Sequence, residues 1–129
     1  MALRLTLKPN ERVIIGGTAI RNGDQRAEFW IECEVPVLRE SDILSPQAVR
    51  TPCERVYLAL ELLYVDPARA ETHLATYHEL VADVKAAAPS LTPRLDVMEV
   101  EVEQHRLYQA LRSARQLLED ERGILARAR

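Results

Sequence analysis

Aromatic residues are scarce in this chain, with one Phe, one Trp and four Tyr among 129 residues. That leaves no room for the row of stacking aromatics that the commonest RNA-recognition sheets carry. Cysteine is almost absent too. Cys33 and Cys53 form no C-x-x-C pair, so a disulfide framework and a structural zinc site have no support, and a reducing compartment is the default. The longest apolar run, Val56 to Val65, is interrupted by Glu61 and is far too short to cross a bilayer. The opening Met-Ala-Leu-Arg lacks a signal-peptide core, so the expected location is cytoplasmic, with no membrane partner. Charge of one sign does not dominate. With 17 Lys and Arg against 20 Asp and Glu, the formal net charge is -3, which excludes a strongly basic nucleic-acid binder and requires any polyanion to be met by a local patch.

Catalytic constellations are equally thin. His73 and His78 stand five residues apart, about 140° around a helix, so they do not converge, and His105 is separate. Ser41, Ser45 and Ser90 lack a G-x-S-x-G context, and Gly16-Gly17 lacks the lysine and serine of a phosphate loop. Glu99, Glu101 and Glu103 read as a solvated helix face rather than an acid-base pair. The expectation is a chain that is not an enzyme and needs no cofactor, metal or small-molecule substrate.

What is present falls into two halves. Leu3 to Leu7, Arg12 to Ile15, Thr18 to Arg21, Ala27 to Glu32 and Val35 to Leu38 are short runs rich in β-branched and apolar residues, and they predict five strands. Gly16-Gly17 and Asn22-Gly23 predict two tight hairpins and hence a meander. Leu3, Leu5 and Leu7 alternate with Arg4, Thr6 and Lys8, giving one core face and one basic face. Phe29 and Trp30 are neighbours in a strand, so at least one of them belongs to the core. The basic residues Arg4, Lys8, Arg12, Arg21, Arg26 and Arg39 all fall in or beside these strands.

Beyond residue 50, Thr51-Pro52, Asp66-Pro67 and Thr92-Pro93 each place a capping residue before a proline, which predicts three helices. Glu54 completes a capping box with Thr51, and the first helix should span 52 to 65 with little polar face. The second should run from 67 to 88 and stop at Pro89. In the third, Val97, Val100, Gln104, Leu107, Leu111, Ala114 and Leu118 keep a heptad register, which makes Gln104, Leu107 and Leu111 candidates for a protein interface. The tail from Ile124 should fray.

Leu3 to Gly16, Asn22 to Arg26, Val37 to Leu44 and Thr51-Pro52 strongly resemble the FlbT family of flagellar biosynthesis repressors, most densely over residues 3 to 66. The resemblance implies a post-transcriptional regulator that associates with the 5' untranslated region of flagellin messenger RNA and promotes its degradation, in functional pairing with the small flagellar protein FlaF. Some members of that family act as activators. More distantly, Leu3 to Gly16 and Val37-Leu38-Arg39-Glu40 are similar to the carbon storage regulator CsrA, an intertwined β dimer that binds messenger leaders. That similarity implies RNA contacts by Leu5, Lys8 and Arg39, although Leu7 stands where that family has a basic residue and Leu38 where it has histidine.

The sequence thus predicts an α+β chain, with a small antiparallel β unit of about five short strands (residues 1–50) packed on a three-helix part (residues 51–129). The expected RNA-binding residues are Arg4, Leu5, Lys8, Arg12 and Arg39. Expected partners are the flagellin messenger leader, FlaF or flagellin, and a second copy of the chain. The alternative is a helical protein-binding module that regulates through a flagellar partner without touching RNA.

Overall fold

The alternation over Leu3–Leu7 places Leu5 and Leu7 in the interior, and the strand that carries them, β1, begins the structure. The computed structural model describes residues 2–128, and the chain divides into two compact units, Met1–Ile43 and Leu44–Arg129. Residues 44–50 therefore cluster with the helices. The class is α+β, with five strands followed by four α-helices.

In the first unit β2 covers Arg12–Ile15, β3 Thr18–Arg21, β4 Ala27–Ile31 and β5 Val37–Arg39. They do not form a meander. β1 pairs with β4 in one antiparallel sheet, while β3, β2 and β5 form another in that order. Only the first predicted hairpin exists: Gly16 and Gly17 have φ of 57° and 83°, the positive values a two-residue primed turn requires. Asn22-Gly23 lacks positive φ, because the Asn22 side chain has other work. Its Nδ2 donates to the carbonyls of Lys8 (2.8 Å), Gln25 (2.8 Å) and Leu7 (3.3 Å), and its Oδ1 accepts the Gly23 N–H. The chain is thereby turned away from β3, and β4 pairs with β1. Leu5, Leu7 and Val13 form the buried cluster of this unit, with Ile15, Phe29, Ile31 and Val37 against it.

The helical unit opens where capping chemistry demands. α1 spans Pro52–Val65, and both halves of the Thr51/Glu54 capping box are made. Thr51 Oγ1 also donates to Glu121 Oε1, and the Cys53 N–H donates to Glu121 Oε2 at 3.2 Å. A carboxylate buried at a helix N-terminus is matched both to orphan N–H groups and to the helix dipole. Burial, with the Glu121 charge beside it, pushes the Cys53 thiol up to about 12. α2 covers Ala70–Ala87, preceded by a 3-10 turn at Pro67–Arg69. α1 packs against both α2 and α4.

The predicted third helix is in fact two, α3 (Thr92–Glu103) and α4 (Leu107–Arg127). His105 takes φ of 58°, its N–H donates to the Val102 carbonyl, and the Arg106 N–H reaches back to Glu101 at 2.8 Å. These are the paired bonds of a Schellman stop with histidine in the position usually given to glycine. The continuous heptad seam is therefore broken at Gln104. Within α3, Leu95, Met98 and Val102 face the core, while Val97 and Val100 are each half exposed. Thr92 is the first residue of α3 and not its cap, since Pro89–Leu91 already winds into a 3-10 turn ahead of it. The tail from Ile124 remains helical to Arg127.

Leu60 is completely buried, so Leu60→Ala should cost about 2–5 kcal/mol in chemical unfolding. Glu61 of α1 is also buried and accepts the Leu44 N–H at 2.6 Å. Burial raises its carboxyl from an ordinary 4.5 to about 7, against the opposing effect of that hydrogen bond. The folded state then binds a proton more tightly than the unfolded chain between about pH 4.5 and 7, so this group's contribution falls as pH rises through that window. Glu61→Gln keeps an acceptor for Leu44. It should raise the unfolding midpoint at pH 8 while leaving that at pH 4.5 nearly unchanged, and equal shifts at both values would contradict this.

Candidate nucleic-acid interface

Because successive strand residues face opposite sides, burying Leu5 and Leu7 turns Arg4 and Thr6 outward. Across the sheet Arg4 lies opposite Trp30 and Thr6 opposite Glu28. Trp30 is 56% exposed, whereas its neighbour Phe29 packs on the core. Arg4 forms an ion pair with Glu28, both side chains being well exposed. The outer face of β1 and β4 thus carries a guanidinium, an indole and a carboxylate side by side. Leu5 differs from the expectation of an RNA-contacting side chain: it is 4% exposed and belongs to the core cluster.

Arg39 ends β5, opposite Val13. Its Nη2 donates to the Thr6 carbonyl at 2.7 Å and to Glu11 Oε2 at 3.3 Å, tying the edge of one sheet to the other. Glu11 Oε1 in turn accepts the Lys8 N–H at 2.8 Å. That bond, more than the Arg39 guanidinium and against some desolvation, holds the Glu11 carboxyl below its usual range. Lys8 and Arg39 are therefore joined through Glu11, and Asn10, at φ of 61°, makes the turn between them.

Arg12 lies elsewhere. Its N–H donates to Glu40 Oε1 at 3.3 Å, and it faces Arg21 directly across β2 and β3. Since Val13 is buried with the core cluster, the pleat directs Arg12 and Arg21 to the other side of their sheet. Of the five expected residues, Lys8, through its backbone N–H, and Arg39 share Glu11, Arg4 stands with Trp30, Arg12 stands with Arg21, and Leu5 is interior. In the helical unit Gln104 is exposed at the end of α3, Leu107 is half-buried at the start of α4, and Leu111 is buried. These three do not form one surface. Glu11 and Asn22 carry much of the local organisation, and their spacing alone did not reveal it, because the pairing of β1 with β4 depends on non-local bonds. Among the described residues no group of three His, Cys, Asp or Glu side chains could hold a metal ion, and no helix is long and apolar enough to cross a membrane.

Fold and surface together define a small α+β protein whose exposed chemistry lies on short strands and whose buried chemistry organises a helical unit. The model of the family "Flagellar protein FlbT" matches residues 3–125, and the chain belongs to that family. It is 44% identical over 119 residues to the probable flagellum biosynthesis repressor protein FlbT 1 of Bradyrhizobium diazoefficiens, covering 92% of this chain and 81% of that protein. It is 36% identical over 130 residues to the probable flagellum biosynthesis repressor protein FlbT of Rhodopseudomonas palustris strain TIE-1, covering 98% and 100%. A flagellum biosynthesis repressor protein FlbT of Caulobacter vibrioides is 38% identical over 71 residues, 55% of this chain and half of that protein. No solved structure matches.

Removing the Arg39 side chain should loosen the tie between the sheets. Arg39→Ala is expected to lower stability by about 0.5–1.5 kcal/mol and to move the Glu11 titration upward, part of the way to its ordinary value, as followed by NMR. An unmoved Glu11 titration would show that the Lys8 N–H alone sets it.

Proposed function

We propose that this chain is a repressor of flagellum biosynthesis that acts after transcription, associating through its strand unit with the 5' untranslated region of flagellin messenger RNA and promoting its degradation. Membership of the FlbT family and the repressor names of its relatives support the flagellar and regulatory part of this reading. The observation that favours direct RNA contact is the exposed Arg4 opposite Trp30. An arginine fork can hold a phosphate while an adjacent indole stacks on the next base, a combination suited to single-stranded leaders. Arg4 would exchange Glu28 for that phosphate. The site of action is cytoplasmic, where the messenger is, and the mode is binding rather than catalysis. A second copy of the chain is the further partner, because the two-stranded sheet leaves edges that another strand could pair.

A second reading is favoured by Val97 and Val100, half-exposed one helical turn apart on α3. There the helical unit would hold FlaF or a flagellin segment and repress through it.

Binding of purified protein to a flagellin leader across a salt series separates the two. Direct contact predicts that log K falls linearly with log salt. Arg4→Ala should flatten the slope by about 0.7, the amount for one single-strand phosphate, and Trp30→Ala should cost about 1–3 kcal/mol of affinity for one lost stack. Sedimentation of the same samples reads the number of copies. Wild-type protein without leader affinity at low salt would transfer the function to the protein-binding reading, in which Val97→Asp abolishes capture of FlaF or flagellin.

A further inference from the structure

Two arginines directly opposite one another on neighbouring strands are an unfavourable arrangement. Arg12 and Arg21 are such a pair at the open end of the β2–β3 hairpin, and both are exposed. Side chains in this relation leave the backbone about 5 Å apart on the same face, where like charges destabilise the sheet. Two carboxylates beside Arg12, Glu11 and Glu40, already accept hydrogen bonds from backbone or other side-chain donors. Glu11 holds the Lys8 N–H and Arg39, and Glu40 takes the Arg12 N–H. Neither Arg12 nor Arg21 forms an ion pair among the described residues. The two guanidiniums therefore share one face of the hairpin with no carboxylate ion-paired to either among the described residues.

The backbone beneath the pair is unusually well tied. Asn22, the residue after Arg21, binds the carbonyls of Leu7, Lys8 and Gln25 through its side chain. Its own N–H donates to the Glu11 carbonyl at 2.8 Å, and the Asn10 N–H donates to Gly23 at 2.7 Å. One asparagine thus fastens together the strand ends that carry Lys8, Arg12, Arg21 and Arg26. Basic side chains anchored this way lose little further backbone freedom when a ligand binds, which raises affinity per contact.

We infer that Arg12 and Arg21 form a phosphate clamp, in which two guanidinium forks close on the phosphodiester backbone of a single-stranded RNA, with Asn22 as the positioning residue. The inference rests on the RNA-binding reading and extends it to a second surface. By the pleat of the two sheets, this clamp lies on the opposite side of the strand unit from Arg4 and Trp30. A phosphate relieves the repulsion at the clamp, since it offers acceptor oxygens to both forks at once.

The test uses the full-length chain as wild type and as the Arg12→Gln/Arg21→Gln double variant, with two probes. Tripolyphosphate at millimolar concentration should raise the thermal midpoint of the wild type and leave that of the double variant unmoved. Without any anion, the variant should melt no lower than the wild type, because a repulsion has been removed. With leader RNA, the variant should flatten the salt slope by about 0.7 for each phosphate released, while the Trp30→Ala effect persists unchanged in the variant background. An equal tripolyphosphate shift in both proteins would overturn the clamp, whatever RNA does. A shift confined to the wild type, together with no RNA binding by the wild type, would overturn RNA as the source of the phosphate and with it the RNA-binding reading. An intact RNA slope in a variant that has lost its tripolyphosphate shift would show that the RNA path bypasses the clamp.

Discussion

A helix with almost no polar face can exist in water only when other elements cover it, and α1 imposes that condition on the helical unit. Val56, Tyr57, Ala59, Leu60, Leu63 and Val65 are all buried along its length. α2 and α4 supply the cover, and α4 also delivers Glu121 to the one end of α1 where a buried carboxylate is stabilised by N–H donors and the helix dipole. The Schellman stop at His105 follows from the same demand. A helix continuing straight through Gln104 would carry Leu111, Ala114 and Leu117 away from the core they fill. The chain accepts a non-glycine residue at positive φ so that α4 can turn back onto α3 and α1.

The strand unit is organised on a different basis. Its apolar cluster is small, three buried residues with four partners, and even with the buried Leu38 of β5 it is too small to specify the pairing of five short strands by packing alone. Polar side chains do much of the specifying. Asn22 joins the ends of β1 and β3 to the start of β4, Arg39 ties β5 to β1, and Glu11 joins Arg39 to the turn after β1. Arg39 is tied into the fold through its Nη2, whereas Arg12 and Arg21 form no ion pair among the described residues. This contrast shifts the emphasis of the RNA reading from the similarity with CsrA, which points to Leu5 and Arg39, toward the side chains the fold leaves exposed.

For a regulator in the FlbT family, the division of labour has a functional consequence. The strand unit presents arginines and one indole on short, hydrogen-bonded strands, and the helical unit presents Val97 and Val100 on α3. Under the proposed function, a messenger and a protein partner are held by different parts of one short chain, with charge serving the first and apolar area the second.

Local chemistry was legible in the sequence wherever one residue's neighbours along the chain decide its conformation. The Thr51-Pro52-Cys53-Glu54 cap, the Gly16-Gly17 turn, the limits of α1 and the inward Leu5 and Leu7 of β1 all belong to this kind, and so did the α+β class, although Leu3 of the same expected face is half exposed. The FlbT resemblance was carried by contiguous residues as well. What pattern alone could not decide were the choices made between distant segments. Asn22-Gly23 has the composition of a hairpin turn, but the Asn22 side chain found two carbonyls at the end of β1 and one three residues on, and the hairpin was not formed. The heptad through Gln104 was real as a spacing, yet Val97 and Val100 face outward, because Leu95, Met98 and Val102 offered the core a better fit once α4 had folded back. Leu5 and Arg39 looked like binding residues by similarity, and the tertiary structure placed one in the core and turned the other into a strap. Short-range sterics and capping are paid for locally and can be read locally; strand pairing and helix reversal are settled by hydrogen bonds and buried area that exist only after the chain has closed on itself.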